Sequence, residues 1–71
     1  MKPIFVEFRD VNDTFWINIL RVESIQRDMK EVNRQQIQGT TIIMNSGERH
    51  FVRDSITTVK NKIDLEIAKV I

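Results

Sequence analysis

The sequence predicts an α+β domain: a small, bent antiparallel sheet of about five short strands with one C-terminal amphipathic helix packed on it. Three observations carry that expectation. Ile4, Val6 and Phe8 alternate with Phe5, Glu7 and Arg9, the period of two that a strand requires. Asn45-Ser46-Gly47-Glu48 separates two further alternating runs, as a tight hairpin turn would. Ile56, Val59, Ile63, Ile67 and Val70 then recur at helical spacing, the pattern of one buried helix face.

The elements follow in order along the chain. Pro3 stands ahead of the first strand, where a missing amide donor does no harm. Asp10, Asn12 and Asp13 make a turn cluster, because their short side chains bond local backbone and tolerate turn geometry. Phe15-Trp16-Ile17 is aromatic and β-branched, so it is expected to pair back on the first strand. Phe5 and Trp16 are expected in the core. Asn18 to Arg21 breaks the alternation and predicts a bend or short helical turn before a third strand over residues 22–26, with Leu20, Val22 and Ile25 buried.

Residues 27–39 are sparse in apolar side chains, and the expectation is a long polar loop between strands. After Gly39, the run Thr40 to Met44 has apolar character on both faces, as in a central strand. Glu48 to Val52 returns with His50 and Val52 on one face and Arg49 and Phe51 on the other. Asp54 or Ser55 is expected to cap the helix, which spans 55–71. Leu65 points away from the Ile63 and Ile67 face, so one helix–sheet contact cannot bury it. Leu65, Ala68 and Ile71 are therefore the candidate partner-binding surface.

At 71 residues the chain is expected to be a single domain, near the size where one apolar core is barely sufficient. It contains no cysteine, so neither disulfides nor thiolate metal sites add to that core. Packing against a second subunit is the remaining source, and a protein partner or homo-oligomer is the leading expectation. No apolar run reaches the ~20 residues of a membrane helix. Glu7 breaks the N-terminal apolar run too early for a signal-peptide core, so a soluble, unprocessed, cytoplasmic protein is expected.

Candidate chemistry is thin. His50 is the only histidine, which removes paired-histidine metal binding. Asp10 and Asp13 lack the further oxygen ligands and glycine of a calcium loop. The Asn-Ser-Gly-Glu turn lacks the lysine and repeated glycines of a phosphate loop. Ser24, Ser46 and Ser55 have no activating base nearby in sequence. The expectation is a non-enzymatic protein with no cofactor, no metal and no small-molecule substrate.

With 11 basic and 10 acidic side chains the formal net charge is only +1, small for a protein that binds by neutralising phosphates. Arg27, Lys30, Arg34, Arg49 and Arg53 still offer a basic surface. A nucleic-acid-binding accessory or transcriptional regulator is thus the alternative expectation.

Residues 41–59, from Thr41-Ile42-Ile43-Met44-Asn45-Ser46-Gly47 through Val52-Arg53-Asp54-Ser55 to Val59, resemble the small FlbD/SwrD-type proteins of flagellar operons. Phe15-Trp16-Ile17-Asn18 and Val22-Glu23-Ser24-Ile25 extend the likeness upstream. Against that pattern, the first turn has no glycine, residues 27–39 look inserted, and the helix is longer. Similar short proteins occur among phage and mobile-element products. The resemblance implies a small bacterial or phage accessory protein that acts by binding, with flagellar motor support as one setting and no active-site residues to carry over.

Overall fold

The computed structural model describes residues 2–10 and 13–69. Within them the chain runs β1 (Phe5–Arg9), β2 (Thr14–Asn18), a 3-10 turn (Ile19–Arg21), β3 (Val22–Val32), β4 (Gln35–Met44), β5 (Arg49–Val52) and α1 (Ile56–Ala68). The class is α+β, as expected. The strands form two antiparallel sheets, β1-β2 and β3-β4-β5.

In the first hairpin Val6 lies opposite Ile17 and Phe8 opposite Phe15. Partners in an antiparallel ladder share a face, and this face carries the buried Val6, Phe8 and Ile17. Phe5, Glu7 and Arg9 fall on the other side with Trp16. That corrects the expected core placement of Phe5 and Trp16, which are 55% and 62% exposed. Aromatic content marks the segment as strand, but parity with Glu7 and Arg9 decides which way the rings point.

Asn18 organises the next step. Its Oδ1 accepts from the amides of Ile4 and Leu20, each at 3.2 Å, tying the N-terminal segment to the 3-10 turn. The turn buries Ile19 and leaves Leu20 exposed, the reverse of the expected burial of Leu20. A helical turn rotates successive side chains by roughly 120°, so only one of the two neighbours can face the core.

The expected polar loop over residues 27–39 is instead the outer part of a long hairpin. β3 and β4 pair without interruption from Ser24 and Ile43 out to Val32 and Gln35, closed by Asn33-Arg34. The arm shows no alternation because neither of its faces covers a core, so ladder hydrogen bonds rather than burial hold it together. Eleven residues of β3 span about 36 Å at strand rise, which accounts for most of the molecule's 43 Å long axis.

Asn33 and Arg34 both have positive φ, 51° and 65°, the signature of a type I′ turn. Asparagine tolerates this region. Arginine is strained there by about 1–2 kcal/mol. Arg34→Gly is expected to steady the arm by about 1 kcal/mol, slowing amide hydrogen exchange at Lys30 and Ile37; unchanged or faster exchange would contradict the turn geometry.

β4 is the central strand, and Thr40, Thr41, Ile42 and Met44 are buried. Both buried hydroxyls find acceptors: Thr40 Oγ1 donates to the Asp54 carbonyl at 2.9 Å and Thr41 Oγ1 to Asp28 Oδ2 at 2.5 Å. At the β4–β5 turn Gly47 has φ of 93°, as expected of a glycine placed for left-handed backbone.

One backbone bond carries the β3–β4 pairing a step further and one joins the two sheets. Asn45 N–H donates to the Arg21 carbonyl at 2.8 Å, and Arg53 N–H to the Arg9 carbonyl at 3.0 Å. Ser55, not Asp54, caps α1, its Oγ accepting from Thr58 N–H at 3.2 Å. Asp54 instead holds Lys62 at 3.1 Å. The helix buries Val59 completely, while Ile63 and Ile67 are only partly covered against the core of Val6, Phe8, Ile17, Ile19, Ile42, Met44 and Val52.

Candidate functional site

The side chains with chemical potential are engaged structurally. His50 Nε2 lies 3.4 Å from the Glu48 carboxylate, and its ring packs on Phe15 with centroids 5.4 Å apart. Asp10 accepts from Lys30 Nζ at 3.0 Å, and its amide donates to the Asp13 carbonyl at 2.9 Å, closing the first turn. Ser46 accepts from the Glu48 amide and Ser55 is the helix cap. Among the described residues no group of three or more His, Asp or Glu is placed to hold a metal ion. No helix among them is long and apolar enough to cross a membrane.

The five basic residues do not converge. Arg27 shares a face with Thr40 and Val52, the side that carries the core. Lys30 and Arg49 are on the opposite face, opposite Ile37 and Ile43. The Lys30 ammonium is held by Asp10 and sits 5.7 Å from the Phe51 ring. Arg34 is at the arm tip, away from all four. Only Arg27 and Arg53 come together, lining a shallow groove with Met29, Gln38, Ile56 and Thr57.

The apolar surface is more extensive than Leu65 alone. Leu65 is 59% exposed, as its helical position predicts, and Ala68 is exposed beside it. Ile71 lies outside the described residues. The ion pairs Lys60–Asp64 and Lys69–Glu66, at 2.7 and 3.0 Å, flank Leu65 along the helix. Phe5 and Trp16 form a second apolar surface that sequence reasoning placed in the core. The signal for it was present, since Phe5 shares parity with Glu7 and Arg9. Met29, 53% exposed on the arm, is a third.

The arm also presents unpaired backbone. β3 is the outermost strand of its sheet. The residues that flank a two-residue hairpin turn exchange both hydrogen bonds, and bonded pairs then alternate down the ladder. Counting back from Val32–Gln35, the amides and carbonyls of Glu31, Met29, Arg27 and Ile25 point away from β4. Consistent with this, the Met29 N–H donates to Asp28 Oδ1 at 2.8 Å rather than standing free. The Thr41 hydroxyl first, then the Met29 amide and the nearby Arg49 charge, hold the Asp28 carboxyl below its ordinary pKa. The edge is thus guarded by a single carboxylate.

No family model, curated protein or solved structure matches the chain.

Proposed function

We propose that this protein is a non-enzymatic binding module that acts through protein–protein contacts and associates with copies of itself. The observation that carries the reading is the pair of aromatic side chains, Phe5 and Trp16, on the outward face of the first hairpin, more than half exposed. Leaving a large aromatic in water forgoes about 1.5–3 kcal/mol of burial, which a domain of this size can ill spare. Aromatic patches of this kind mark interfaces rather than free surface. The incomplete cover over Ile63 and Ile67, and the exposure of Leu65 and Ala68, add to the same reading.

The dispersal of Arg27, Lys30, Arg34, Arg49 and Arg53 lends no support to the nucleic-acid alternative. Support of a flagellar motor, implied by the resemblance of residues 41–59, is one setting in which such a module would work.

Trp16 is the only tryptophan, so its emission reports directly on the proposed surface. As concentration rises from the low micromolar range, the emission should shift to the blue in step with growth in sedimentation coefficient. Phe5→Ser with Trp16→Phe should weaken association without altering the circular dichroism. A folded protein that stays monomeric, with water-exposed tryptophan emission at every concentration, would overturn the reading.

A further inference from the structure

We propose that β3 is a homodimerisation edge: two copies pair their β3 strands antiparallel, with Met29 on the two-fold axis, joining the two three-stranded sheets into one. The inference rests on the reading of self-association above but not on the Phe5 and Trp16 surface.

The argument begins with symmetry. When a strand pairs antiparallel with its own copy, a two-fold axis passes through one residue, and positions equally far on either side of it face one another. The sequence Arg27-Asp28-Met29-Lys30-Glu31 reads as a palindrome with inverted charge about Met29. Centred there, Arg27 faces Glu31 of the second copy and Asp28 faces Lys30, so four opposite-charge pairs form on two strands. Moving the axis by one residue sets Asp28 against Asp28 or Lys30 against Lys30. Moving it to residue 27 sets Arg27 against Arg27 and Glu31 against Glu23. Like charges directly opposite destabilise a ladder as opposite ones stabilise it, so among registers centred on residues 27–31 only the one about Met29 sets opposite charges face to face throughout.

The backbone agrees with that register. Arg27, Met29 and Glu31 are the residues whose amides and carbonyls face the open edge, and the pairing would match them with Glu31, Met29 and Arg27 of the second copy, forming about six ladder hydrogen bonds. β3 has no strand on that side, and every residue from 26 to 31 is exposed. Asp28 must release the Met29 amide, which then finds the Met29 carbonyl of the second copy.

The side chains complete the case. Among the described residues neither Arg27 nor Glu31 takes part in an ion pair, so both are available for the partner. They flank Met29 on the same face, giving an apolar centre with a charged pair on either side. Strand addition at a sheet edge of this kind is an established mode of protein recognition.

The test is charge reversal and its rescue. Arg27→Glu alone and Glu31→Arg alone each place like charges together twice, and each should weaken dimerisation about tenfold by sedimentation equilibrium. The double variant Arg27→Glu/Glu31→Arg restores opposite charges and should bring the dissociation constant back near that of the unmodified protein. Bonded residues in an antiparallel pair have Cα atoms about 5.5 Å apart, but their Cβ atoms lie wider than a relaxed disulfide holds them, so a short thiol cross-linker is the suitable probe. The chain has no cysteine of its own, so Met29→Cys should give a covalent dimer with a short bis-maleimide, and Gln26→Cys should not. A dimer that ignores the charge reversals, with Met29→Cys remaining unlinked, overturns this interface and leaves self-association standing. A protein that is monomeric throughout overturns both.

Discussion

Phe8→Ala is expected to remove a large part of the protein's folding stability. Phe8 is fully buried, on the face of β1 that meets Val6 and Ile17 of its own hairpin. Its ring also lies 5.1 Å from the Lys62 ammonium, which reaches back from α1. Phe8 is therefore shared by elements from both ends of the chain. Truncating a buried phenylalanine to alanine costs about 3–5 kcal/mol, because the cavity adds to the lost transfer energy. A chain of this length has a total stability of about 4–10 kcal/mol. The loss thus consumes much of the available stability, and a chain without cysteine has no disulfide to offset it. Phe5→Ala on the same strand is the control: its ring is outward, and its loss should change monomer stability by no more than about 0.5 kcal/mol. Urea unfolding followed by circular dichroism separates the two. A Phe8→Ala protein within about 1 kcal/mol of the parent would mean the first hairpin is not packed as described.

Gly39→Ala is expected to be nearly as damaging, for a different reason. A methyl group at residue 39 would lie 2.1 Å from the carbonyl oxygen of Val52 and 2.7 Å from the Phe51 ring. The ring can swing aside. The carbonyl belongs to the β5 backbone and can move only if the strand moves with it. Overpacking of this kind costs about 3 kcal/mol or more when backbone must yield, and the displacement would reach the bond from Arg53 to Arg9 next door. The distinguishing experiment adds Phe51→Ala to Gly39→Ala. If the ring were the obstacle, the second change would restore stability. With the carbonyl as the obstacle it should not, and the double variant should unfold at least as readily as Gly39→Ala alone. Restoration would show that β5 lies farther from β4 than the structure places it.

How much of this was legible in the sequence depended on whether burial imposed a pattern. The helix could be read because Val59, Ile63 and Ile67 repeat on one side that packs on the sheet. The β4–β5 turn was legible because Gly47 marks the one position that needs left-handed backbone. The arm was not, because residues 27–39 carry polar side chains on both faces and a strand that covers nothing leaves no alternation to detect. Its turn was hidden as well: Asn33 suits positive φ but Arg34 does not. The candidate surface was half legible. Leu65 announced itself by sitting off the apolar stripe. Phe5 and Trp16 did not, because aromatic residues in a strand suggest a core until the parity of their charged neighbours is weighed. The palindrome around Met29 gains meaning only once those residues are known to form an edge strand.

The bond from Arg53 N–H to the Arg9 carbonyl bears on how the chain reaches this fold. Each strand ladder pairs neighbours in sequence across a short connection, and hairpins of that kind form in about 1–10 μs. The Arg53–Arg9 bond instead closes a loop of about 44 residues, at an entropic cost that grows with loop length. The β3-β4-β5 unit can therefore form without the N-terminal hairpin, whereas Phe8 finds its neighbours across the sheet only after that closure. The order of events is written into the topology: the hairpins come early, and the joining of the two ends of the chain sets the pace.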